Sequence, residues 1–363
     1  MPDAESGGAL PPGQWVHAQL FEISLPTGSR LSLGEGGTPL EPAAELGADL
    51  GIPKLQLKRE DLNPTGSHKA RCLSLLCSDL AASGRRQAVI SSSGNAAVAA
   101  AAYASLGGIR VLSLVSPKTP RVKLERLRSY PQLTVLSNRP VALLHHAVAS
   151  WGLSDLRGSV NPLAPNAYRG IAAELMGAKP LAAVFLFSSS GASALGLAQG
   201  FDRLLAPAQD RPQLHLVEGS PGGEMTRPWY PGSRPEAGSW SPLGELRSRR
   251  SRLAPAVRRA VRATGGRGWR VEDAELAEVR QLAERRGLRT SWEGLATLAA
   301  MRQAAAGADL SREGSWVAVL TGDQAQLDLE PWRADDPLLP TANSEAELDR
   351  LLQAAAFTRP TGR

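Results

Sequence analysis

The hydrophobic and polar positions of the chain form two alternating patterns from about Leu55 onward. Short β-rich runs are followed by longer, alanine-rich stretches whose apolar residues have helical spacing. This alternation is typical of βαβ units, in which parallel strands form a sheet and the connecting helices cover its faces. The pattern therefore predicts an α/β protein with mostly parallel sheets flanked by helices. The predicted strands are 55–58, 88–91, 110–115, 133–137, 182–187, 214–218 and 316–321, and the predicted helices are 69–82, 96–106, 172–175 with its neighbours, and 273–286.

The length of the chain extends this prediction to two domains. Its 363 residues exceed the roughly 100–200 residues over which one hydrophobic core is usually built. The 42% of hydrophobic and 21% of charged residues are ordinary for a globular protein. We expect a long loop at 219–242, which is rich in Pro, Gly and Ser, and a short amphipathic helix at 344–356, docked on the surface or on a second subunit. In a protein of two domains, we expect a ligand cleft between them.

The basic charge of the chain raises the question of nucleic acid. The net charge is +6, and much of it comes from arginines between Arg247 and Arg262. A basic face attracts phosphate without reading sequence, but here no aromatic residues are interleaved and the spacing favours one exposed helical face. We predict a solvated surface and no nucleic-acid partner, with a polyanion site as the alternative.

The cysteines and the first residues indicate a reducing compartment. Cys72 and Cys77 are the only cysteines, and their spacing fits neither CxxC redox chemistry nor a zinc site. We expect two buried thiols and no metal site. The N-terminal residues lack a basic stretch followed by an apolar run, and no apolar stretch reaches the ~18 residues of a membrane span. A cytoplasmic protein with no membrane partner is predicted.

The first motif that carries chemistry is KREDLNPTGSHKAR, residues 58–71. Asn63, Pro64 and Gly66 predict a turn after a strand, and a helix is predicted to begin near Ser67 with Lys69 in its first turn. The helix dipole disfavours a cation there, lowers the pKa of the amine and so favours the neutral form that attacks an aldehyde. Lys69 is therefore either a reactive lysine or an ordinary surface lysine.

Three further motifs place small or polar residues directly after predicted strands. In SSSGNAAVAAAA, residues 91–102, a turn presents Asn95 and backbone N–H groups to an oxygen-bearing ligand, unless Ser93 or Asn95 simply caps the helix. In FLFSSSGASALGLAQGF, residues 185–201, small and hydroxylic residues let N–H groups approach a phosphate. In WVAVLTGDQ, Thr321 ends a buried strand and can meet a ring nitrogen without supplying a charge.

Taken as an ordered set, these motifs resemble the fold-type-II pyridoxal-phosphate enzymes over roughly 34–328. KREDLNPTGSHK resembles the segment of the cofactor lysine, SSSGN the asparagine loop, SSSGASALG the phosphate cup and VLTG the strand end at the pyridine nitrogen. EGGTPL and the VNP of 160–162 resemble threonine synthases in particular, and WEGLATLAAM resembles a helix of the wider family. The resemblance implies a two-domain α/β fold, each domain a mostly parallel twisted sheet flanked by helices.

The resemblance also implies domain boundaries and an assembly. Residues 1–65 and 166–335 would form a large cofactor-binding domain. Residues 66–165 would form a smaller, mobile domain that carries Lys69 and the Asn95 loop, and 336–363 a C-terminal tail. The protein would be a homodimer that acts on a small amino-acid substrate.

A role for each matching residue follows from the resemblance. Pyridoxal 5'-phosphate would be held as a Schiff base on Lys69, which would also move protons, while Asn95 would bond the phenolic oxygen and Thr321 the pyridine nitrogen. A neutral threonine at that nitrogen favours elimination and replacement chemistry. The residues implied to hold the phosphate are Ser189, Ser190, Gly191, Ala192 and Ser193. Those implied to hold the substrate are Ser92, Ser93, Gly94 and Arg169.

The chain departs from the threonine synthase pattern where those enzymes bind the substrate phosphate. Ala96, Gly158 and Ala164 replace residues that help to hold it, and Arg169 is the candidate substitute. Beside the lysine, His68 replaces the usual Phe, as in tryptophan synthase β.

Three functions stay open at this point. The first is formation of threonine from O-phosphohomoserine. The second is the same kind of carbon–oxygen lyase chemistry on another amino acid, such as a serine or threonine ammonia-lyase or a β-replacement synthase. The third is a cofactor-binding protein with little turnover. Lys69, Asn95 and Thr321 favour an enzyme, and the departures favour the second function over the first.

Overall fold

The computed structural model of the protein describes residues 13–92, 94–119, 121–178, 180–206, 211–220, 223–231, 243, 251–307, 313–324 and 339–360. The strands among them are β1 Leu40–Pro42, β2 Leu55–Lys58, β3 Gln87–Ser91, β4 Arg110–Val115, β5 Leu133–Leu136, β6 Ser154–Asp155, β7 Leu181–Phe187, β8 Gln213–Gly219, β9 Gly268–Val271 and β10 Ser315–Val319. The α-helices are α1 Ala44–Leu50, α2 Lys69–Ala82, α3 Asn95–Leu106, α4 Arg121–Arg128, α5 Pro140–Trp151, α6 Arg169–Leu175, α7 Ala192–Leu204, α8 Ala254–Ala263, α9 Asp273–Arg285, α10 Trp292–Ala306 and α11 Glu345–Ala354. Short 3-10 helices lie at Gly13–Leu20, Thr27–Ser29, Glu60–Leu62, Ala164–Tyr168, Met176–Ala178 and Arg227–Trp229.

The strands form two sheets. The larger has the order β1-β2-β10-β7-β8-β9, and its neighbours are parallel except for the β1–β2 pair. The smaller has the order β5-β4-β3-β6 and is wholly parallel. The predicted α/β fold with helix-flanked, mostly parallel sheets is confirmed. Every predicted strand is present within two residues of its expected bounds. The predicted division into two domains and a tail stays a prediction.

The helices cover the sheets with small or apolar faces. In α3, residues 97–104 are all buried, and six of them are alanines, so the helix can pack closely against α2. α2 is buried along most of its length. It carries both cysteines, whose thiols are free and buried as predicted. Burial raises the pKa of the Cys72 thiol to about 11, so it is not a reactive thiolate.

The last described residues return to the smaller sheet. Leu136 of β5 donates its N–H to Pro340 and accepts one from Ala342. α11 begins with a capping box, and its buried Leu348 and Leu352 join the core cluster of α5 and the smaller sheet. The predicted tail helix is thus present and docks on the surface of its own chain. Much of the loop predicted at 219–242 lies outside the described residues. Within the described stretches, no helix is both long and apolar enough to cross a membrane.

Candidate active site

The segment that leads into α2 is held against the end of β10. The backbone N–H of His68 donates to the carbonyl oxygen of Thr321 over 3.1 Å, and Ser67 forms an antiparallel bridge with Gly322. Lys69, the first residue of α2, follows directly. Two predicted cofactor residues, Lys69 and Thr321, are therefore brought together by backbone pairing.

The start of α10 joins the same place. The carbonyl oxygen of Gly322 accepts hydrogen bonds from the Ser291 N–H over 2.9 Å and from the Thr290 hydroxyl over 3.0 Å. Ser291 is also the N-cap of α10. This anchoring brings Glu293, in the first turn of α10, within electrostatic reach of Lys69.

The surroundings of Lys69 lower the pKa of its side-chain amine. Burial lowers the pKa of its ammonium group, because a charge is costly away from water. Cys72 and Glu293 raise that pKa without reversing the shift. A neutral primary amine attacks an aldehyde carbon, so Lys69 can bond covalently to a carbonyl compound. An ordinary, fully solvated lysine does not match these surroundings.

His68 fixes this segment through its side chain as well. Its Nδ1 lies 2.9 Å from the Thr321 carbonyl oxygen, which assigns the hydrogen to Nδ1. The ring is buried and packs against the Tyr168 ring at 5.5 Å between centroids. Burial, followed by the charge of Lys69, holds the pKa of His68 well below 6.5. A neutral His68 therefore anchors Thr321 without adding a charge beside Lys69.

The turn between β7 and α7 has the form of an anion site. β7 is the parallel neighbour of β10, so this turn and Thr321 leave the sheet at the same edge. Gly191 has a φ of +88°, and a Cβ there would lie 2.7 Å from the Met225 side chain, so only glycine fits. The hydroxyl of Ser251 braces the turn by donating to the Ser190 carbonyl oxygen over 2.6 Å.

Donors at this turn are available to a ligand. α7 begins without a side-chain cap, so its first N–H groups can meet an anion that the helix dipole also favours. The buried hydroxyl of Ser188 has no hydrogen-bond partner in the described part of the chain. Ser189 is half-buried, Ala192 opens α7 and Ser193 is buried. These groups fit a bound phosphate, and their individual roles stay predictions.

The predicted asparagine loop follows β3 in the smaller sheet. Asn95 is the first residue of α3, and the N–H of Gly94 donates to the Ser92 hydroxyl over 3.3 Å. Ser93 lies outside the described residues. The loop therefore has the strand-turn-helix form that the motif predicted, with its asparagine at the helix start.

Helix α4 contacts both this loop and the segment before Lys69. A Cβ on Gly94 would lie 3.8 Å from the Lys123 Nζ, and a Cβ on Gly66 would lie 3.2 Å from the Arg126 Nη1. The Arg126 guanidinium also forms a 2.9 Å ion pair with Asp323, just beyond β10. One face of α4 thus spans the gap between the two loops.

Arg169, predicted to contact substrate, has other partners. Its side chain is 1% exposed. The guanidinium donates to the Leu20 carbonyl oxygen over 2.9 Å and to Gln199 over 2.8 and 3.2 Å, and it lies 2.7 Å from Glu22. These bonds join α6 to α7 and to the N-terminal segment. A substrate role for Arg169 stays a prediction that these contacts do not support.

A set of buried charges, which we call the charge network, surrounds the first turn of α2. Arg71 bonds Glu60 over 2.8 and 2.7 Å and Glu174 over 2.9 and 2.8 Å. Lys58 lies 2.5 Å from Glu174. Burial raises the pKa of Glu60, but Arg71 and Lys58 outweigh it and bring the pKa to about 2. The positive charges of this network equal its negative charges in number. Its bonds fix the position of α2, the helix that begins with Lys69.

Sequence reasoning did not assign four charged residues of this site. Glu293 lies in the WEGLATLAAM segment, which was matched to the family without a role for its acid. Lys123 and Arg126 lie on a helix that was not predicted, and Asp323 was taken only as part of a strand end. The available signal was the three-residue spacing of cations in RVKLERLR, which places them on one helical face.

The sequence model of the family described as "Pyridoxal-phosphate dependent enzyme" matches residues 31–322, well over half of the chain. A threonine synthase of Methanosarcina acetivorans is 25% identical over 353 residues, which cover 92% of this chain and 85% of that protein. A threonine synthase of Mycobacterium tuberculosis is 40% identical over 98 residues, 26% of this chain and 27% of that protein.

Solved structures show the same fold. Maize serine racemase has a TM-score of 0.67 at 19% identity, covering 79% of this chain and 88% of its own. An O-ureido-L-serine synthase has a TM-score of 0.65 at 20% identity, covering 80% of this chain and 90% of its own. At these identities the likeness concerns the fold alone.

Proposed function

Because the chain belongs to the family of pyridoxal-phosphate-dependent enzymes, we propose that it catalyses elimination or replacement at the side chain of a small amino acid. The reference reaction is that of threonine synthase, which converts O-phosphohomoserine to threonine. On this proposal the enzyme is a carbon–oxygen lyase. A homodimer in the cytoplasm remains the predicted form and location.

One observation carries the proposal. Backbone pairing of Ser67 and His68 with Gly322 and Thr321 brings the start of α2, with Lys69, to Thr321, and the turn at Gly191 leaves the same edge of the sheet one strand away. A ligand with an aldehyde, a ring nitrogen and a phosphate would need one partner of each of these kinds. Pyridoxal 5'-phosphate carries all three groups.

Each of these residues has a task that its surroundings permit. When bound, the cofactor supplies the electron sink for breaking bonds at the substrate carbon. Lys69, whose pKa is lowered by burial, would accept a proton from that carbon and return it to another atom. The hydroxyl of Thr321 would meet the ring nitrogen of the cofactor without adding a negative charge. His68 stays neutral and keeps Thr321 and Lys69 in register.

The experiment is a side-by-side assay of the holoenzyme with O-phosphohomoserine, serine and threonine. Release of threonine, ammonia or inorganic phosphate identifies the reaction, and changes in the visible absorption of the cofactor report binding. Failure of all amino acids to react would reject an enzymatic role. Thr321→Asp serves as the matched variant, because a carboxylate would hold the ring nitrogen protonated. We expect lower elimination or replacement activity and a changed visible spectrum, and Thr321→Ser should retain both.

A second substrate class is favoured by the packing around Gly158. A Cβ at this position would lie 2.9 Å from the Cys72 sulfur, so the larger residue of threonine synthases does not fit without a shift. Ala96 and Ala164 also lack hydrogen-bonding side chains. The same chemistry on serine, threonine or a serine derivative is therefore the alternative. A protein that binds the cofactor with little turnover is the third possibility, and the environment of Lys69 argues against it.

A further inference from the structure

One face of helix α4 packs into the core, and another side of it borders the candidate active site. Leu124 and Leu127 are fully buried on one face. Lys123 and Arg126, three residues apart and so on one side of the helix, lie against Gly94 and Gly66 instead. The two cations therefore border both the loop predicted to hold the substrate and the segment that carries Lys69.

The ammonium group of Lys123 can bind an anionic ligand at this position. It is half-buried, and in the described part of the chain it has neither a hydrogen bond nor an ion pair. Arg121 on the same helix, by contrast, pairs with Glu125 at 2.7 Å in solvent. An ammonium group that is partly withdrawn from water gains most from an anionic partner, because charge-assisted hydrogen bonds strengthen as solvent is excluded.

Among the described residues, Arg126 has one ion-pair partner, and its guanidinium has further N–H donors. Its Nη2 lies 2.9 Å from Asp323 Oδ2, and its Nη1 lies beside Gly66, where the same Asp323 carboxylate is nearer still. A guanidinium has five N–H donors, so a pair with one carboxylate leaves others for a ligand. Together Lys123, Arg126 and Asp323 carry a net positive charge at this border of the site.

We propose that Lys123, with Arg126 beside it, binds a distal anionic group of the substrate amino acid. The inference rests on the proposed function and narrows it to amino acids whose side chain ends in a phosphate or a carboxylate. On the resemblance to threonine synthases, the positions expected to hold a substrate phosphate are Ala96, Gly158 and Ala164 here, which offer no charge and no hydroxyl. The two cations on α4 supply the missing partners from another helix.

The test measures the dissociation constants of amino acids for the holoenzyme by calorimetry, and kcat/KM for any that react. The anionic probes are O-phosphohomoserine, aspartate and glutamate, and the neutral probes are serine and homoserine. The variants are Lys123→Gln, Lys123→Arg and Arg126→Gln. Arg128→Gln is the matched control, since Arg128 lies on the same helix, is exposed and loses the same charge.

For Lys123→Gln we expect the dissociation constant of the anionic probes to rise roughly tenfold to a hundredfold, the effect of one charge-assisted hydrogen bond. The neutral probes should change by less than about threefold. Lys123→Arg should restore most of the affinity, and Arg128→Gln should have no selective effect. Preference for O-phosphohomoserine identifies a phosphate group, and preference for aspartate or glutamate identifies a carboxylate.

Equal losses for anionic and neutral probes in Lys123→Gln, or an equal selective loss in Arg128→Gln, would overturn the inference. It is also overturned if the unmodified holoenzyme binds neutral probes more tightly than anionic ones. Selective binding of anionic amino acids without any product would leave the subsite standing and reject the proposed function. The two failures are thus separate.

Discussion

The charge network and the anion-binding turn differ in how their polar atoms are used. In the network, Arg71 and the carboxylates of Glu60 and Glu174 are bonded to one another. At the turn, the buried hydroxyl of Ser188 has no hydrogen-bond partner in the described stretches, and α7 has no side-chain cap. Polar groups that hold the fold are hydrogen-bonded to one another. Polar groups at a ligand site leave hydrogen-bond donors that the protein itself does not use. Substitutions in the charge network should therefore mainly lower stability, and substitutions at the turn should mainly lower the affinity for a ligand.

The largest expected effect is on chemistry. Lys69→Ala removes the amine whose pKa the site lowers, so activity should fall by at least about a thousandfold and the cofactor should no longer become fixed to the chain by borohydride reduction. Thermal stability without cofactor should change little, because Lys69 is not part of the charge network. Reduction that still labels a lysine peptide in this variant would remove Lys69 from the role.

A stability effect is expected when the charge network is opened. Glu174→Ala leaves Arg71 and Lys58 without one of their buried partners, so the free energy of unfolding should fall by about 3–5 kcal/mol. Urea denaturation without cofactor measures it. Arg302→Ala breaks an exposed ion pair with Glu278 and should cost less than about 1 kcal/mol. Similar losses in both variants would contradict the view that saturation of the network holds the fold.

The charge network also makes the stability of the folded protein depend on pH. The pKa of Glu60 is about 2 in the folded protein, against an ordinary value of 4.5. Between these values the unfolded chain binds more protons, so the stabilisation is complete above pH 4.5 and is lost as the pH falls towards 2. Glu60→Gln should therefore show a shallower loss of stability across this window. Urea denaturation at a series of pH values tests this, and equal slopes in both proteins would argue against it.

The smallest effect is expected at the turn. Ser188→Ala removes a hydroxyl without a described partner, so the stability of the cofactor-free protein should change by less than about 0.5 kcal/mol. The affinity for pyridoxal 5'-phosphate should fall by up to about tenfold, the loss of one hydrogen bond. Fluorescence titration of the cofactor measures this change. A marked loss of stability with unchanged affinity would show that Ser188 belongs to the scaffold instead.

The parts of the fold that the sequence predicted are those with a strong local signal. β4 and β7 are long apolar runs, and the turn before Lys69 is marked by Asn63, Pro64 and Gly66. β1, β6 and β9 were not predicted, since strands of three, two and four residues are too short for a clear periodicity. The short helix α4 was missed because its many charges mask its two buried leucines.

The candidate site divides in the same way. Lys69, Asn95 and Thr321 were predicted because each lies in a short motif at or just after the end of a strand, and the ordered set of motifs resembles one family. The contacts of Lys123 and Arg126 join distant parts of the chain; their three-residue spacing places them on one helical face, but no local pattern identifies the loops that they contact. Arg169 shows the reverse case, since a charge near a matching motif predicted substrate binding, and its guanidinium bonds Gln199 and Glu22.

The return of residues 339–360 to the smaller sheet bears on synthesis at the ribosome. The helix α11 is translated about 200 residues after β5, which corresponds to roughly ten to forty seconds at ordinary elongation rates. During that interval the apolar side chains of α5 that α11 later covers, Leu143 and Leu144 among their cluster, lack their final cover. The part of the protein encoded early is therefore completed last. A chain that ends before Ala342 would keep this surface open to chaperones and to other nascent chains.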